Sequence, residues 1–229
     1  MNYPGKELEN FDSATIWRKY VYFLIKKYIK GNILEVGAGI GSFTNNYSHL
    51  KNDSITLTEV DNNNYEIIKQ KFKNKNYSFY QNITKELKGT FNTIMYLNVL
   101  EHIKEDTTEI NDALNKLEIN GHLIILVPAH NKLYSKFDEA VGHFKRYEID
   151  YFKNLKLSNA VVEKVFFLDC MGYLLYYVNG IFFKEDVYPS KIKILIWDKI
   201  FTPITFFLDK IFNYKMGKNL LCVIKKIKT

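Results

Sequence analysis

Arginine, cysteine and proline are all scarce in this chain of 229 residues. The two cysteines, Cys170 and Cys222, cannot form a disulfide framework, which excludes a small secreted scaffold. The N-terminus begins with polar and charged residues, unlike a signal peptide. No stretch rich in proline, glycine or serine divides the chain. We therefore expect one domain over residues 1–229, in the cytoplasm.

The composition is that of a folded protein, with 47% hydrophobic and 25% charged residues. The net charge of +7 is unevenly distributed. Residues 184–229 contain ten lysines and four acidic residues, so they carry six of the surplus positive charges. Since the rest of the chain is nearly neutral, the charge predicts a local basic feature and argues against a general nucleic-acid-binding surface.

Only two arginines, Arg18 and Arg146, occur in a chain that uses lysine elsewhere. Arginine offers a planar, bidentate group that lysine cannot supply. The two positions are therefore candidates for a functional or structural contact, with chance as the alternative for Arg18.

Short β-branched runs alternate with stretches of helical spacing. We predict strands over residues 33–36, 54–58, 77–80, 93–97, 122–127, 160–168 and 219–227. Helices are expected over residues 64–72 and 106–117 and from Ser42 onward. This alternation predicts an α/β fold, a Rossmann-like doubly wound, mostly parallel sheet of seven strands. Ligands of such sheets bind at the carboxyl ends of the strands.

The first strand ends in a glycine-rich loop with Gly37, Gly39 and Gly41. Glycine lets a ligand lie against the main chain, although a tight turn without a ligand is the alternative. Glu59 and Asp61 follow the second strand, about twenty residues later, where such folds place the carboxylate that binds ribose hydroxyls. The two features together predict a nucleoside-bearing cofactor.

The spacing of the glycines disfavours a dinucleotide, because Ser42 stands where the third glycine is required. The segment ILEVGAGIG, residues 33–41, resembles the first motif of class I S-adenosylmethionine-dependent methyltransferases. The segments Glu59-Val60-Asp61 and LNVLEHI, residues 97–103, are similar to later motifs of that family.

This resemblance implies S-adenosylmethionine as cofactor and S-adenosylhomocysteine as product. Asn82 stands where the family often has an aspartate near the adenine, and its amide oxygen can still accept a hydrogen bond. The residues that the resemblance assigns to the cofactor are Glu35, Gly37, Ala38, Gly39, Gly41, Glu59, Val60, Asp61, Asn82, Ile83 and Asn98.

The segment after the fifth strand carries a Pro-Ala pair, a Leu-Tyr pair and the run GHFKRY, residues 142–147. It resembles a bacterial subgroup of these enzymes linked to polysaccharide and glycosyltransferase systems. The resemblance implies a carbohydrate-like acceptor. A polar loop at this place would face the transferable methyl group. The alternative is that Arg146 and Asp138 form a buried ion pair that holds the loop.

Methyl transfer to a hydroxyl requires a base, and histidine suits that role near neutral pH. His143 and His102 are the candidate bases, with packing over the cofactor as the alternative for His102. Arg146 and Tyr147 are further catalytic candidates. The candidate substrate-binding residues are His130, Tyr134, Asp138 and Arg18. No spacing of histidine, cysteine and acidic residues predicts a metal site.

Two segments lie outside the core pattern. Residues 1–30 include a predicted helix over 11–29, which the family resemblance implies is a cap helix over the cofactor, with a plain packing helix as the alternative. Residues 173–218 form a predicted helical insertion, aromatic and rich in lysine, whose charges at Lys193 and Asp198 break the apolar run a membrane span needs. The insertion could be a lid, a dimer surface or an anchor on anionic lipid at the inner membrane face.

The sequence therefore predicts a methyltransferase that modifies a small or carbohydrate-like acceptor, on oxygen. Two alternatives remain open. One is an NAD-linked oxidoreductase or epimerase. The other is a non-catalytic cofactor-binding protein of a membrane-peripheral assembly.

Overall fold

The computed structural model describes residues 8–50, 54–182 and 187–228, with the backbone alone for 177–182. The predicted segments 1–30 and 173–218 are therefore covered in part, because residues 1–7 and 183–186 lie outside the described residues.

A seven-stranded sheet forms the centre, in the order β3-β2-β1-β4-β5-β7-β6. All neighbouring strands are parallel except β7, which runs antiparallel to β5 and β6. The strands are β1 Asn32–Val36, β2 Ser54–Thr58, β3 Tyr77–Tyr80, β4 Phe91–Leu97, β5 Leu117–Pro128, β6 Ala160–Leu168 and β7 Asn219–Lys226. The predicted sheet is thus confirmed, with β5 longer at its start than its apolar run indicated.

Helices cover both faces of the sheet, and two groups of buried apolar side chains fill the space between the layers. The α-helices are α1 Leu8–Phe11, α2 Thr15–Ile25, α3 Asn62–Lys71, α4 Asp106–Lys116, α5 Lys136–Ala140, α6 Ile149–Lys153, α7 Cys170–Phe182, α8 Lys191–Ile196 and α9 Thr202–Ile211. A π-helical turn, Trp197–Phe201, joins α8 to α9.

Two predicted helices differ from the structure. The helix expected from Ser42 is wrong, since only a 3₁₀ turn, Thr44–Asn46, follows the glycine loop. Neighbouring asparagine and serine favour turns over helix, and Tyr47 is tied to buried Glu35 by a hydrogen bond. The predicted N-terminal helix over 11–29 is broken into α1, α2 and a 3₁₀ turn, Lys26–Tyr28.

Two fully buried carboxylates attach the α8–α9 segment to the rest of the fold. Asp198 accepts hydrogen bonds from the backbone N–H groups of Ile16, at 3.2 Å, and Trp17, at 2.8 Å. It caps the N-terminus of α2, whose own cap residue, Ala14, forms no side-chain cap. Asp209 accepts from the Tyr20 hydroxyl at 2.8 Å and from the backbone N–H of Cys170, the first residue of α7, at 3.0 Å.

Replacing Asp198 by alanine should lower the free energy of unfolding by about 1–3 kcal/mol, because two buried N–H groups lose their acceptor. Chemical denaturation measures the change. Asp198→Asn keeps an acceptor and should lose less. The exposed Glu66→Ala is the matched control. Equal stability of Asp198→Ala and Glu66→Ala would contradict this role for the cap.

Candidate active site

The loop after β1 places main-chain atoms at the carboxyl end of the sheet. Gly37 and Gly39 have φ angles of +63° and +55°, a region that favours glycine. A Cβ on Gly37 would lie 2.7 Å from Val99, whereas one on Gly39 would meet, among the described residues, only Leu8, at 3.7 Å. Gly37 thus fits the packing of the loop, and Gly39 leaves room for a ligand against the backbone.

Glu59, after β2, holds this loop in place. Its Oε2 accepts a hydrogen bond from the Gly39 N–H at 2.7 Å, and its Oε1 accepts from the Asp61 N–H at 2.8 Å. Burial raises the pKa of Glu59, while these N–H donors favour the carboxylate. Each oxygen keeps a second lone pair for a hydroxyl group. The chemistry of Glu59 therefore fits a ribose at this place.

Two apolar side chains stand exposed at the ends of the neighbouring strands. Val60, after β2, is 41% exposed and Ile83, after β3, is 51% exposed. Between them in the chain, Asn82 donates its amide hydrogen to Glu86 at 2.9 Å. Exposed aliphatic groups beside amide groups suit the faces and edge of a nucleobase. These residues fit an adenosine on this side of the sheet.

Other predicted cofactor residues lie behind the loop. Glu35 is buried and accepts from Thr44 Oγ1 at 2.7 Å, and burial raises its pKa to about 7. Asp61 caps α3 by accepting from the Asn64 N–H at 2.9 Å. In the structure both carboxylates order the protein's own backbone and side chains, and direct contact of either one with the cofactor stays a prediction.

The remaining predicted cofactor residues form the backbone around the loop. The Ala38 N–H donates to Thr58 at 2.8 Å, and a Cβ on Gly41 would collide with Phe72 at 2.5 Å. Asn98, at the end of β4, has a φ of +58°, and its N–H donates to Leu126 at 2.8 Å.

Arg18 donates hydrogen bonds to the backbone of the N-terminal segment. Its Nη1 donates to the carbonyl of Phe11 at 2.9 Å and its Nη2 to that of Asp12 at 2.6 Å. Both donors bind the turn between α1 and α2, and the substrate contact predicted for Arg18 stays a prediction.

A second group of polar side chains surrounds Asp138, which is fully buried in α5. Its carboxylate accepts from Nδ1 of His143 at 2.8 Å and from Nε and Nη2 of Arg146, both at 2.9 Å. Burial alone would raise the pKa of Asp138, but the hydrogen bonds from His143 and Arg146 lower it to about 2. The geometry is that of the buried ion pair given as the alternative for Arg146. Asp138 is too buried for the substrate contact predicted from the sequence.

Glu101 and His102 complete this group. Nε2 of His143 lies 3.9 Å from Oε1 of Glu101, and the two histidine rings lie 4.6 Å apart. Burial raises the pKa of Glu101 to about 7, and neither of its buried oxygens has a hydrogen-bond partner within the described structure. Burial, with His143 next, lowers the pKa of His102 to about 4.

Glu101 is the residue that the sequence analysis missed. One ligand atom each from Glu101, His102 and His143 lie within 4.8 Å of one another, close enough to hold a metal ion. Spacing along the chain could not reveal this group, because His143 lies on a loop far downstream of Glu101. The only signal was the Glu-His pair in the segment that carries the family resemblance.

The other candidates from this loop differ in where they lie. Tyr147 is buried, with its hydroxyl 2.8 Å from Asp106, so its predicted catalytic role is corrected to packing and hydrogen bonding. His130 stacks on Phe167 and places Nε2 3.0 Å from the carbonyl of Gly217. Tyr134 is partly exposed and donates to the carbonyl of His143 at 2.6 Å, which keeps it beside the histidine pair.

The glycine loop and the histidine pair are neighbours. Val99, which packs over Gly37, directly precedes the 3₁₀ turn Leu100–His102. The N-terminal segment spans both places, because Leu8 lies over Gly39 while the Phe11 ring lies 6.5 Å from that of Phe137, itself 6.3 Å from His143. One continuous region at the carboxyl end of the sheet therefore combines a nucleoside cradle with an acid–base cluster.

Comparison with known proteins identifies the class of this region. A family model described as a methyltransferase domain matches residues 13–159, and the chain belongs to that family. S-adenosylmethionine is the cofactor of these methyltransferases, which confirms the predicted cofactor. The dinucleotide-linked alternative is therefore set aside. No curated protein matches the chain in sequence.

Solved structures share the fold at low sequence identity. Coclaurine N-methyltransferase bound to N-methylheliamine and S-adenosylhomocysteine has a TM-score of 0.62 and 14% identity, over 93% of this chain and 72% of its own. The N-methyltransferase NodS from Bradyrhizobium japonicum, in complex with S-adenosylhomocysteine, has a TM-score of 0.57 and 12% identity, over 92% and 85%. The cyclase SpnF has a TM-score of 0.60 and 12% identity, over 92% and 81%. Such likeness shows the fold alone.

Gly39→Ala should weaken binding of S-adenosylhomocysteine at least about tenfold, equivalent to about 1.4 kcal/mol, because the added methyl group occupies ligand space. Isothermal titration calorimetry measures the affinity. Gly89→Ala is the matched control, since Gly89 also has a positive φ, +86°, with nothing near its Cβ position. If both variants bind like the original chain, the cradle lies elsewhere.

Proposed function

We propose that this chain is a methyltransferase that transfers a methyl group from S-adenosylmethionine to an oxygen atom of a small or carbohydrate-like acceptor. The observation that carries the proposal is the pairing of His143 with the buried Asp138, beside the glycine loop. The bacterial subgroup that the loop over residues 142–147 resembles supports the acceptor class.

The tautomer of a neutral His143 ring follows from its hydrogen-bond partner. Because the pKa of Asp138 is held at about 2, its carboxylate is ionised and can only accept a hydrogen bond. The proton of a neutral imidazole must therefore sit on Nδ1, which leaves the lone pair on Nε2. This is the tautomer that a base needs, and a fixed carboxylate stabilises the imidazolium that forms when it takes a proton.

His143 suits the role better than His102. The lowered pKa of His102, about 4, makes its ring a weak base at neutral pH. The ring of His102 instead packs edge-on against His143. We therefore assign proton removal to His143 and a positioning role to His102.

Bound S-adenosylmethionine supplies a methyl carbon on a sulfonium that is already a good leaving group. Glu59, Gly39 and the exposed Val60 and Ile83 would hold its nucleoside part. The chain's own contribution to rate is then alignment of the acceptor and removal of its proton. His143 Nε2 would accept the hydroxyl proton while the acceptor oxygen bonds to the methyl carbon and the carbon–sulfur bond breaks, which leaves S-adenosylhomocysteine as the leaving group.

The pairing of His143 with Asp138 favours an oxygen acceptor over a nitrogen acceptor. A hydroxyl loses its proton during attack, so it gains from a positioned base, whereas a neutral amine attacks with its own lone pair. Two similar structures belong to N-methyltransferases, so methylation of nitrogen is the competing outcome of the assay. A cofactor-binding protein that transfers no methyl group is the further competitor, because the same fold also occurs in a cyclase, an enzyme named for another reaction.

A second candidate function rests on Glu101. Its two unpartnered, buried oxygens face a pair of histidines, and His143 is backed by a carboxylate, as metal-binding histidines usually are. A divalent transition metal bound by Glu101, His102 and His143 would polarise an acceptor hydroxyl in place of the base. One lone pair on Nε2 cannot bind a metal and a proton together, so the two functions are separable.

His143→Ala should lower turnover at least about 100-fold while the affinity for S-adenosylhomocysteine stays unchanged, because only proton removal is lost. The assay follows label from methyl-labelled S-adenosylmethionine into a panel of nucleotide sugars and lipid-linked glycans. Asp138→Asn should reduce turnover too, since an amide can stabilise the wrong tautomer.

The control is Glu66→Gln, an exposed carboxylate on α3. Equal turnover of His143→Ala and the original chain would show that His143 takes no part in the reaction. Label found on nitrogen would overturn the acceptor atom. Binding of S-adenosylhomocysteine without label transfer to any acceptor would favour the non-catalytic reading.

If the metal function holds, Mn²⁺ alone should bind the purified chain, and Glu101→Gln should weaken this binding at least about tenfold. Calorimetry with Mn²⁺ measures it. The apo Glu101→Gln variant should melt no lower than the original chain, because an uncompensated buried charge is removed. Mn²⁺ binding that survives in Glu101→Gln, or no binding at all, would leave the base as the only function of the cluster.

A further inference from the structure

The outward surface of the α8–α9 segment is apolar along its whole length. Six large side chains, between 43% and 69% exposed, recur at intervals of three or four residues. This outer face consists of Ile192, Ile196, Ile200, Ile204, Phe207 and Ile211. A run of this length on one helical surface is not the scatter of single apolar residues that soluble surfaces normally show.

The opposite surface of the same helices packs onto the fold. Its buried residues follow the same spacing and are Ile194, Asp198, Thr202, Thr205 and Asp209. Both acidic residues of 187–218 are therefore on the inner side and fully buried, as acceptors for α2 and α7. The outer side is left without a carboxylate from this segment.

The π-helical turn between α8 and α9 keeps the outer face straight. Residues four apart advance by about 40° around an α-helix, so a stripe at that spacing would wind away from one side. The wider turn at Trp197–Phe201 reduces the advance per residue where it occurs. The six side chains can therefore contact one flat surface together.

Lysines border the outer face. Lys191, Lys193, Lys199, Lys210 and Lys215 are all exposed. Some retain local contacts, such as Lys199 with Asp198 at 2.9 Å and Lys210 over the Phe206 ring at 4.1 Å. An exposed Phe23 from α2 extends the apolar area, with its ring 5.5 Å from that of Phe206.

We propose that the outer face of the insertion binds the surface of an anionic lipid bilayer, with its isoleucines and Phe207 at the level of the headgroups. An apolar stripe bordered by lysines is the pattern of an interfacial helix, and each lysine near such a surface adds attraction. Among the described residues no helix is long and apolar enough to cross a membrane. The contact therefore lies along the bilayer plane.

Charge argues against a second copy of the chain as the occupant. A symmetric dimer would bring the same patch of both copies together, and with it two sets of lysines. Each set lacks an exposed carboxylate from 187–218 to pair with. Like charges at such an interface repel, whereas anionic headgroups are complementary to them.

The test is co-sedimentation of the full chain with vesicles of phosphatidylcholine, with or without phosphatidylglycerol. Binding should require phosphatidylglycerol and should weaken as salt is raised. The double variant Ile200→Ser with Phe207→Ser should reduce binding at least about tenfold, because the buried apolar area is lost. The triple variant Lys191→Gln, Lys193→Gln and Lys210→Gln should reduce both binding and its salt dependence.

Ile67→Ser is the matched control, because Ile67 is 45% exposed on α3, away from the insertion. All variants should bind S-adenosylhomocysteine normally, which shows that they fold and separates this proposal from the methyltransferase site. The proposal would be overturned if the chain does not bind phosphatidylglycerol vesicles, or if Ile67→Ser loses as much vesicle binding as the double variant. It would also be overturned by a concentration-dependent dimer in solution that the double variant Ile200→Ser with Phe207→Ser dissociates.

Discussion

Buried carboxylates that accept hydrogen bonds from distant parts of the chain hold this molecule in its working shape. A charge removed from water is costly unless donors surround it, so each such residue fixes the position of its partners. Glu59 ties the second strand to the glycine loop, and Asp138 ties α5 to His143 and Arg146. Asp198 and Asp209 do the same for the insertion. Buried carboxylates that accept hydrogen bonds thus stabilise both the candidate active site and the insertion.

The same kind of interaction makes the inner and outer surfaces of the insertion chemically different. Both carboxylates of residues 187–218 accept hydrogen bonds on the inner side, so no carboxylate of that range faces outward, where lysines border the apolar side chains. Asp198 also joins the insertion to α2, and the segment just before α2 covers the glycine loop through Leu8. An enzyme held on a surface by its outer face would therefore present its cofactor site in a fixed orientation.

The sheet and the glycine loop could be predicted from the sequence because both depend on local signals. Strand composition, glycine spacing and the distance to Glu59 are all readable along the chain. The spacing of apolar residues after Ser42 predicted a helix, but Thr44 and Tyr47 instead donate hydrogen bonds to Glu35. Only the folded structure brings Glu35 near them. Asp138 and Arg146 were placed in the right loop, but their mutual ion pair was one of two alternatives that periodicity could not separate.

Glu101 shows a different limit of sequence reasoning. Glu101 lies in residues 97–103, a motif that was interpreted only as part of the cofactor site. Its partner His143 comes from a loop beyond the next strand. The sequence also suggested no metal, because ligand spacing is informative only when ligands share one helix or hairpin. The outer face of the insertion was visible as an aromatic, basic segment, yet only the structure separates its inner aspartates from its outer isoleucines.

Asp138 and Glu101 carry opposite pKa shifts within one cluster, and this difference assigns their chemistry. Asp138 has a pKa of about 2 because His143, Arg146 and Ser135 donate hydrogen bonds to it, so it stays ionised and acts only as an acceptor. Burial without a hydrogen-bond partner raises the pKa of Glu101 to about 7. Divergent carboxyl pKa values at one site are a mark of acid–base function. His143 lies between the two, with Nδ1 fixed by the ionised group and Nε2 facing the one that can exchange a proton at neutral pH. If Nε2 takes a proton from an acceptor, as we propose, Glu101 would be a neighbouring group able to receive it, which a histidine backed by Asp138 alone would lack.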